Sequence, residues 1–136
     1  MLVKEIMSSD VAFVTDKTTL QEAAEKMQTL DVGELPIVIG RTAVGIITDR
    51  DIAIRGVAHG LDPRVTKVVD SMTEGVKACK ETDTIEEAAR TMGANRIRRL
   101  PVMDAEGKMS GMVSLGDLAR NLDSCIVGEV LAEISK

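Results

Sequence analysis

Two stretches of the sequence place the same polar residue types at the same spacing. Gly45, Thr48 and Asp51 form Gly-x-x-Thr-x-x-Asp, and Gly111, Ser114 and Asp117 repeat it with Ser for Thr. A carboxylate can accept two hydrogen bonds from a ribose diol, and a hydroxyl can serve the same sugar or a nearby phosphate. A helix starting at such a point adds N–H groups and a dipole that favours anions. A glycine at the head of the motif lets a ligand or another strand come close. The same spacing is also that of a plain helix cap, with Thr or Ser at the N-cap and an acid three residues on. Capping alone would account for each copy, so both readings stand.

Phosphates need cations, and here the two stretches differ. Arg96, Arg98 and Arg99 directly precede Leu100-Pro101, whereas Asp31, Gly33 and Glu34 occupy the matching positions before Leu35-Pro36. Arg98 and Arg99 can hold a phosphate through paired N–H groups. Arg50, beside the first motif, and Arg55 are further candidates. Glu34 would repel a phosphate, so the two sites are expected to differ in affinity. The plain alternative for such arginines is surface ion pairing, which contributes little.

These residues sit inside a duplication. Shifting the sequence so that Val3 falls on Val68 also places Thr19-Leu20 on Thr84-Ile85, Met27 on Met92 and Leu35-Pro36 on Leu100-Pro101. One extra residue in the second copy then brings Gly45, Thr48 and Asp51 onto Gly111, Ser114 and Asp117. Each copy reads β-α-β-β-α, an α/β (α+β) pattern. The spacing predicts short strands at 12–14 and 77–79. Helices follow, with apolar stripes at Leu20, Ala23, Ala24, Met27 and at Ile85, Ala88, Ala89, Met92. Thr19 with Glu22, and Thr84 with Glu87, have capping-box spacing. Strand pairs are predicted at 35–39 and 42–47, and at 100–103 and 108–113, with each Pro at a strand start. Closing helices are predicted at about 49–59 and 115–122. A copy of about 60 residues is marginal in core size, so the two are expected to pack about a pseudo-twofold axis. The expected organisation is one repeat over 1–60, a linker over 61–67, a second repeat over 68–123 and a helical tail over 124–136. Ile126, Val130, Leu131 and Ile134 suggest that the tail packs on the body or on a partner.

Composition narrows the function classes. The 136 residues carry a net charge of −5, which argues against general nucleic-acid binding. No apolar run approaches the length of a membrane span, and the first residues lack a signal-peptide core. A cytoplasmic location is expected. Cys79 and Cys125 read as buried or partly buried free thiols, and His59 as a solvent-facing residue near a helix end. With a single His, no Ser-His-Asp or Cys-His arrangement has a credible base, His59 and the distant cysteines have no recognisable metal-site spacing, and the glycines fit neither a P-loop nor a dinucleotide fingerprint. No enzyme activity, obligatory cofactor or metal is expected. Met27 and Met92 suit an adaptable apolar interface or simple core packing.

From about Val3 to Leu122 the sequence resembles the CBS domain family, and the tandem pair resembles a Bateman module. Thr48-Asp49-Arg50-Asp51-Ile52, Arg55-Gly56 and Gly60-Leu61-Asp62-Pro63 are similar to the small bacterial and archaeal proteins made only of a CBS pair. The resemblance implies a non-enzymatic regulatory module that binds AMP, ADP, ATP or a related adenosyl ligand in the cleft between two repeats. It places the ribose hydroxyls on the motif aspartates, and with the residue reading above the ribose and phosphate candidates are Gly45, Thr48, Arg50, Asp51, Gly111, Ser114, Asp117, Arg98 and Arg99. The base would lie against Val11, Ala12, Val14, Leu35, Pro36, Val76, Ala78, Leu100 and Pro101. It also implies a homodimer and, with no effector domain fused here, a separate effector protein. The alternative function is a ligand-free dimerisation or protein-interaction module.

Overall fold

The computed structural model describes residues 1–136. The chain is mixed α/β, with two three-stranded sheets and five helices. It divides into two compact units. One is continuous, Ala12–Val76. The other joins Met1–Val11 to Lys77–Lys136. The compact units therefore cut across the sequence repeats: the opening segment of each repeat packs with the body of the other.

In the Ala12–Val76 unit, helix α1 (Leu20–Leu30) starts at Thr19. The Thr19 hydroxyl accepts from the Glu22 N–H, and the Glu22 carboxylate accepts from the Thr19 N–H, completing the capping box. The Thr19 N–H and then its hydroxyl, both donating to the Glu22 carboxylate, hold that carboxyl below its usual range. Leu20, Ala23 and Met27 face the core. Strands β1 (Glu34–Ile39) and β2 (Thr42–Thr48) form a hairpin turned at Gly40, whose φ of 66° favours glycine. Helix α2 (Asp49–Asp51) runs on through a π turn at Ile52–Gly56 and a 3₁₀ turn at Val57–His59. Gly60 ends the run in the left-handed region. The predicted strand at 12–14 reduces to a parallel bridge between Val14 and Ile37. Strand β3 (Thr73–Glu74), from the start of the second repeat, pairs with β2, and Val68 lies in this core. The segment read as a linker is packed here: Pro63 and Thr66 carbonyls accept the Gln21 and Leu20 N–H groups at the head of α1.

The other unit follows the same plan. Strand β4 (Cys79–Lys80) pairs parallel to β5 (Arg99–Met103), and β5 pairs antiparallel to β6 (Met109–Ser114). Pro101 and Pro36 fall third in their strands rather than first. Helix α3 (Ile85–Asn95) is capped by the Thr84 hydroxyl, but the reciprocal Glu87 bond is not made, so the predicted box is half formed. Arg96 ends α3 in the left-handed region, as Asp31 ends α1. Helix α4 (Leu115–Ala119) is shorter than expected. The tail forms helix α5 (Ser124–Ile134), and Ile126, Val130 and Ile134 pack it onto the core of its own unit. Val3 from the chain start is fully buried in this core.

Burial settles the open reading of the two methionines and corrects the expectation for Cys125. Met27 and Met92 are core residues, not interface residues. Cys125 is exposed, whereas Cys79 is buried; both are free.

Candidate functional site

Both motif aspartates cap helices, so the capping reading is realised in full. In the first copy the Thr48 N–H donates to Asp51 Oδ2 at 3.0 Å, and the Asp51 N–H donates to Thr48 Oγ1 at 3.0 Å. The Asp51 carboxylate is further occupied. Thr73 Oγ1 donates to it at 3.3 Å, and Arg55 Nε lies 3.8 Å from Oδ1. Arg55 also donates to the Met72 carbonyl at 2.9 Å. Asp51 is only 6% exposed and ties α2 to the strand that begins the second repeat.

The second copy makes the same cap but leaves its carboxylate more open. The Ser114 N–H donates to Asp117 Oδ2 at 2.9 Å, and the Asp117 N–H donates to Ser114 Oγ at 3.0 Å. The other Asp117 oxygen accepts from Arg120 Nη2 at 2.6 Å, and the Arg120 side chain is 71% exposed. An exposed pair of this kind contributes about 0–1 kcal/mol and yields easily to a ligand.

Arg98, Arg99 and Ser114 line one surface cavity of about 440 Å³, with Leu115, Gly116, Ala119 and Val127. β5 carries Arg99, β6 delivers Ser114, α4 supplies the floor and α5 contributes Val127. The cap uses a lone pair of Ser114 Oγ and leaves its proton to donate to an anion. No acidic side chain lines this cavity. The helix-terminal N–H groups contribute less than the motif suggested. Asp49 N donates to Gly33 O, Arg50 N to Asp49 Oδ1, and Asp51 N to Thr48 Oγ1. In the second copy the Leu115 N–H already donates to Arg98 O.

The two glycines each make room for a crossing segment. A Cβ on Gly45 would lie 2.6 Å from Met72 Sδ and 3.0 Å from the Thr73 carbonyl. On Gly111 it would lie 2.7 Å from Met7 Sδ and 2.7 Å from the Ser8 carbonyl. Arg50 is exposed beside the first cap. Among the base candidates, Leu35 and Leu100 are core side chains, with Val14, Pro36 and Pro101 also buried. Val11, Ala12, Val76 and Ala78 are half-buried and retain surface. Thr73 and Arg120 were not singled out in the sequence. The Asp117–Arg120 spacing of three on a helix signals an ion pair, whereas Thr73 reaches Asp51 only through the fold.

The repeated unit finds its counterpart in known proteins. The sequence model described as "CBS domain" matches residues 3–56 and 65–124. The chain belongs to the CBS domain family. It is 38% identical to the CBS domain-containing protein YhcV of Bacillus subtilis, over 98% of this chain and 94% of that one. Among solved structures it is similar to CBSX2 of Arabidopsis thaliana in complex with AMP, at a TM-score of 0.74 and 28% identity over 88% of this chain and 93% of that one. It is also similar to the CBS domain pair of protein MJ0100 in complex with 5-methylthioadenosine and S-adenosyl-L-methionine, at a TM-score of 0.75 and 29% identity, covering 88% and 94%.

Proposed function

We propose that the protein is a non-enzymatic regulatory module that takes an adenosine phosphate at the second motif copy. Arg98 and Arg99 hold the phosphate and Ser114 donates to it or to the sugar; Asp117, outside the cavity lining, accepts from the ribose diol once the exposed Arg120 turns away. The observation that carries this reading is the cavity that gathers Arg98, Arg99 and Ser114 with no acid in its lining. The AMP complex of CBSX2 and the adenosyl complexes of MJ0100 support an adenosine moiety as the common ligand element. Two arginines favour an anionic phosphate over a sulfonium cation. The first copy is poorly placed to bind, because Asp51 is buried and shared among Thr48, Thr73 and Arg55. One ligand per chain follows. The free cysteines suit a reducing cytoplasm, and the signal passes to a separate effector chain.

Calorimetric titration with AMP, ADP, ATP, S-adenosylmethionine and NAD tests this. Saturable binding of an adenosine phosphate at one site per chain is expected. Arg98→Ala removes a charge-assisted bond of about 1.5–3 kcal/mol and so weakens affinity roughly ten- to hundredfold. Asp117→Ala also weakens it; Asp51→Ala leaves it unchanged.

A second reading, ligand-free association, has its own support. Ile54, Val57, Leu61 and Val65 are exposed on the Ala12–Val76 unit, between 39% and 69%. Apolar residues clustered this way mark a contact surface. Null titrations across the panel, with a concentration-dependent dimer in sedimentation, would favour this reading.

A further inference from the structure

Helix α5 is joined to the phosphate cavity by one side chain. Val127 lines that cavity with Arg98, Arg99 and Ser114. On the neighbouring face of the same helix, Ile126 and Ile134 pack against the core of the unit, and Val130 is buried within it. All but the first residue of α5 lies beyond the stretch matched to the family. An isolated helix of 11 residues is marginal in water, so α5 depends on this packing. Ala89 and Gly93 of α3 are buried, and a Cβ on Gly93 would meet Glu133 Cβ at 3.6 Å and the Val130 Cα at 3.8 Å. Gly93 lets α5 approach α3 closely, with the Val130 side chain packed against it. The matching face of α1 carries Ala24 and Gln28, both exposed. The chain therefore adds a helix to the unit that holds the arginines and leaves the equivalent face of the other unit bare.

We propose that α5 is a ligand-responsive arm, held on α3 when an anion fills the Arg98–Arg99–Ser114 cavity and loosened when the cavity empties. The inference rests on the ligand reading above. A bound nucleotide packs against Val127 and so adds contacts that exist only while α5 is seated. Any ligand that binds the seated form better than the open form must shift the population toward it, and the coupling is reciprocal. Loosening α5 must then weaken the ligand, even through a residue that never touches it. An opened arm uncovers Gly93 together with Val130, Ile126 and Ile134, apolar groups covered in the seated form.

Backbone hydrogen exchange on the full chain, followed by mass spectrometry over 124–134, tests the arm. AMP and inorganic phosphate are added separately, with binding measured on the same samples by calorimetry. If the open form does not bind, free AMP at ten times Kd slows α5 exchange about tenfold. Helix α1, in the other unit, serves as control and should not change. Val130→Ala, which leaves the cavity lining intact, should speed α5 exchange and weaken AMP severalfold. Should that variant melt the protein, Ile134→Ala at the last turn carries the same test. Saturable AMP binding with unchanged α5 exchange overturns the arm and spares the ligand site. Absence of binding by AMP and phosphate overturns both.

Discussion

At the scale of single residues, equal motifs have acquired unequal duties. Asp51 and Asp117 share a sequence pattern and a cap, yet differ in what surrounds the remaining oxygen. Removing the Asp51 carboxylate leaves the half-buried Thr48 N–H without its acceptor and takes one partner from Thr73 and Arg55, both exposed; Arg55 keeps the Met72 carbonyl. Asp51→Ala should cost about 2 kcal/mol, the upper end for a lost cap, because its carboxylate is buried. Asp117→Ala should cost about 1 kcal/mol, because Arg120 is exposed and turns to water. Urea unfolding of both variants checks the order; a larger loss for Asp117→Ala would contradict it. The cysteines divide in the same manner. Burial first, then the charge of Asp83, pushes the Cys79 thiol up to about 12 from 9.0. The folded state thus disfavours its thiolate: stability is unaffected below pH 9.0 and falls as pH rises from there toward 12. Iodoacetamide at pH 8 should label exposed Cys125 and spare Cys79 until the protein unfolds. Equal labelling of both thiols in the native protein would refute that burial.

At the scale of elements, the glycines of the motif explain themselves by what crosses them. β2 and β6 each receive a strand segment so close that a methyl group has no room. Gly111→Ala should destabilise more than Gly45→Ala. Its Cβ meets the Ser8 carbonyl at 2.7 Å, and backbone cannot swing aside as a Met side chain can; the corresponding Thr73 carbonyl is at 3.0 Å. About 1–3 kcal/mol is the usual scale of such overpacking, and thermal melts of the two variants check the ranking. The helices and hairpins were legible because their signals are local: the stripes of α1 and α3, the Thr19–Glu22 box, Gly40 and Gly60 at positive φ. The π turn at Ile52–Gly56 has no such mark, and the periodicity of a plain helix covers it. The strand at 12–14 overreached, because three apolar-rich residues read alike whether one or all of them pair. The arginine contrast was legible from composition alone. The commitment of Asp51 was not, because Thr73 lies 22 residues away in the chain.

At the scale of the whole chain, the duplication and the folding units are offset from one another. The first repeat supplies Val3 to the core that contains Ile85, Leu100 and Val113; the second supplies Val68 to the core that contains Leu20, Leu35 and Ile47. Local pattern could not reveal this exchange, because Val3 and Val68 fit either core equally well by type and spacing. The exchange makes a prediction opposite to the one that sequence order suggests. Val3 and Val68 are both fully buried, so truncation to Ala should cost each about 2 kcal/mol. The loss should appear in the body of the other repeat. Val3→Ala should speed amide exchange in α3 and leave α1 near its native rate, whereas Val68→Ala should do the reverse. Exchange rates report local opening, so they separate the two units even when global stability falls equally. If Val3→Ala instead loosened α1 and spared α3, each repeat would be its own folding unit. The crossed bonds Val3 N–H to Asp83 O and Val68 N–H to Thr18 O, at 2.9 Å each, make the crossed result the one to expect.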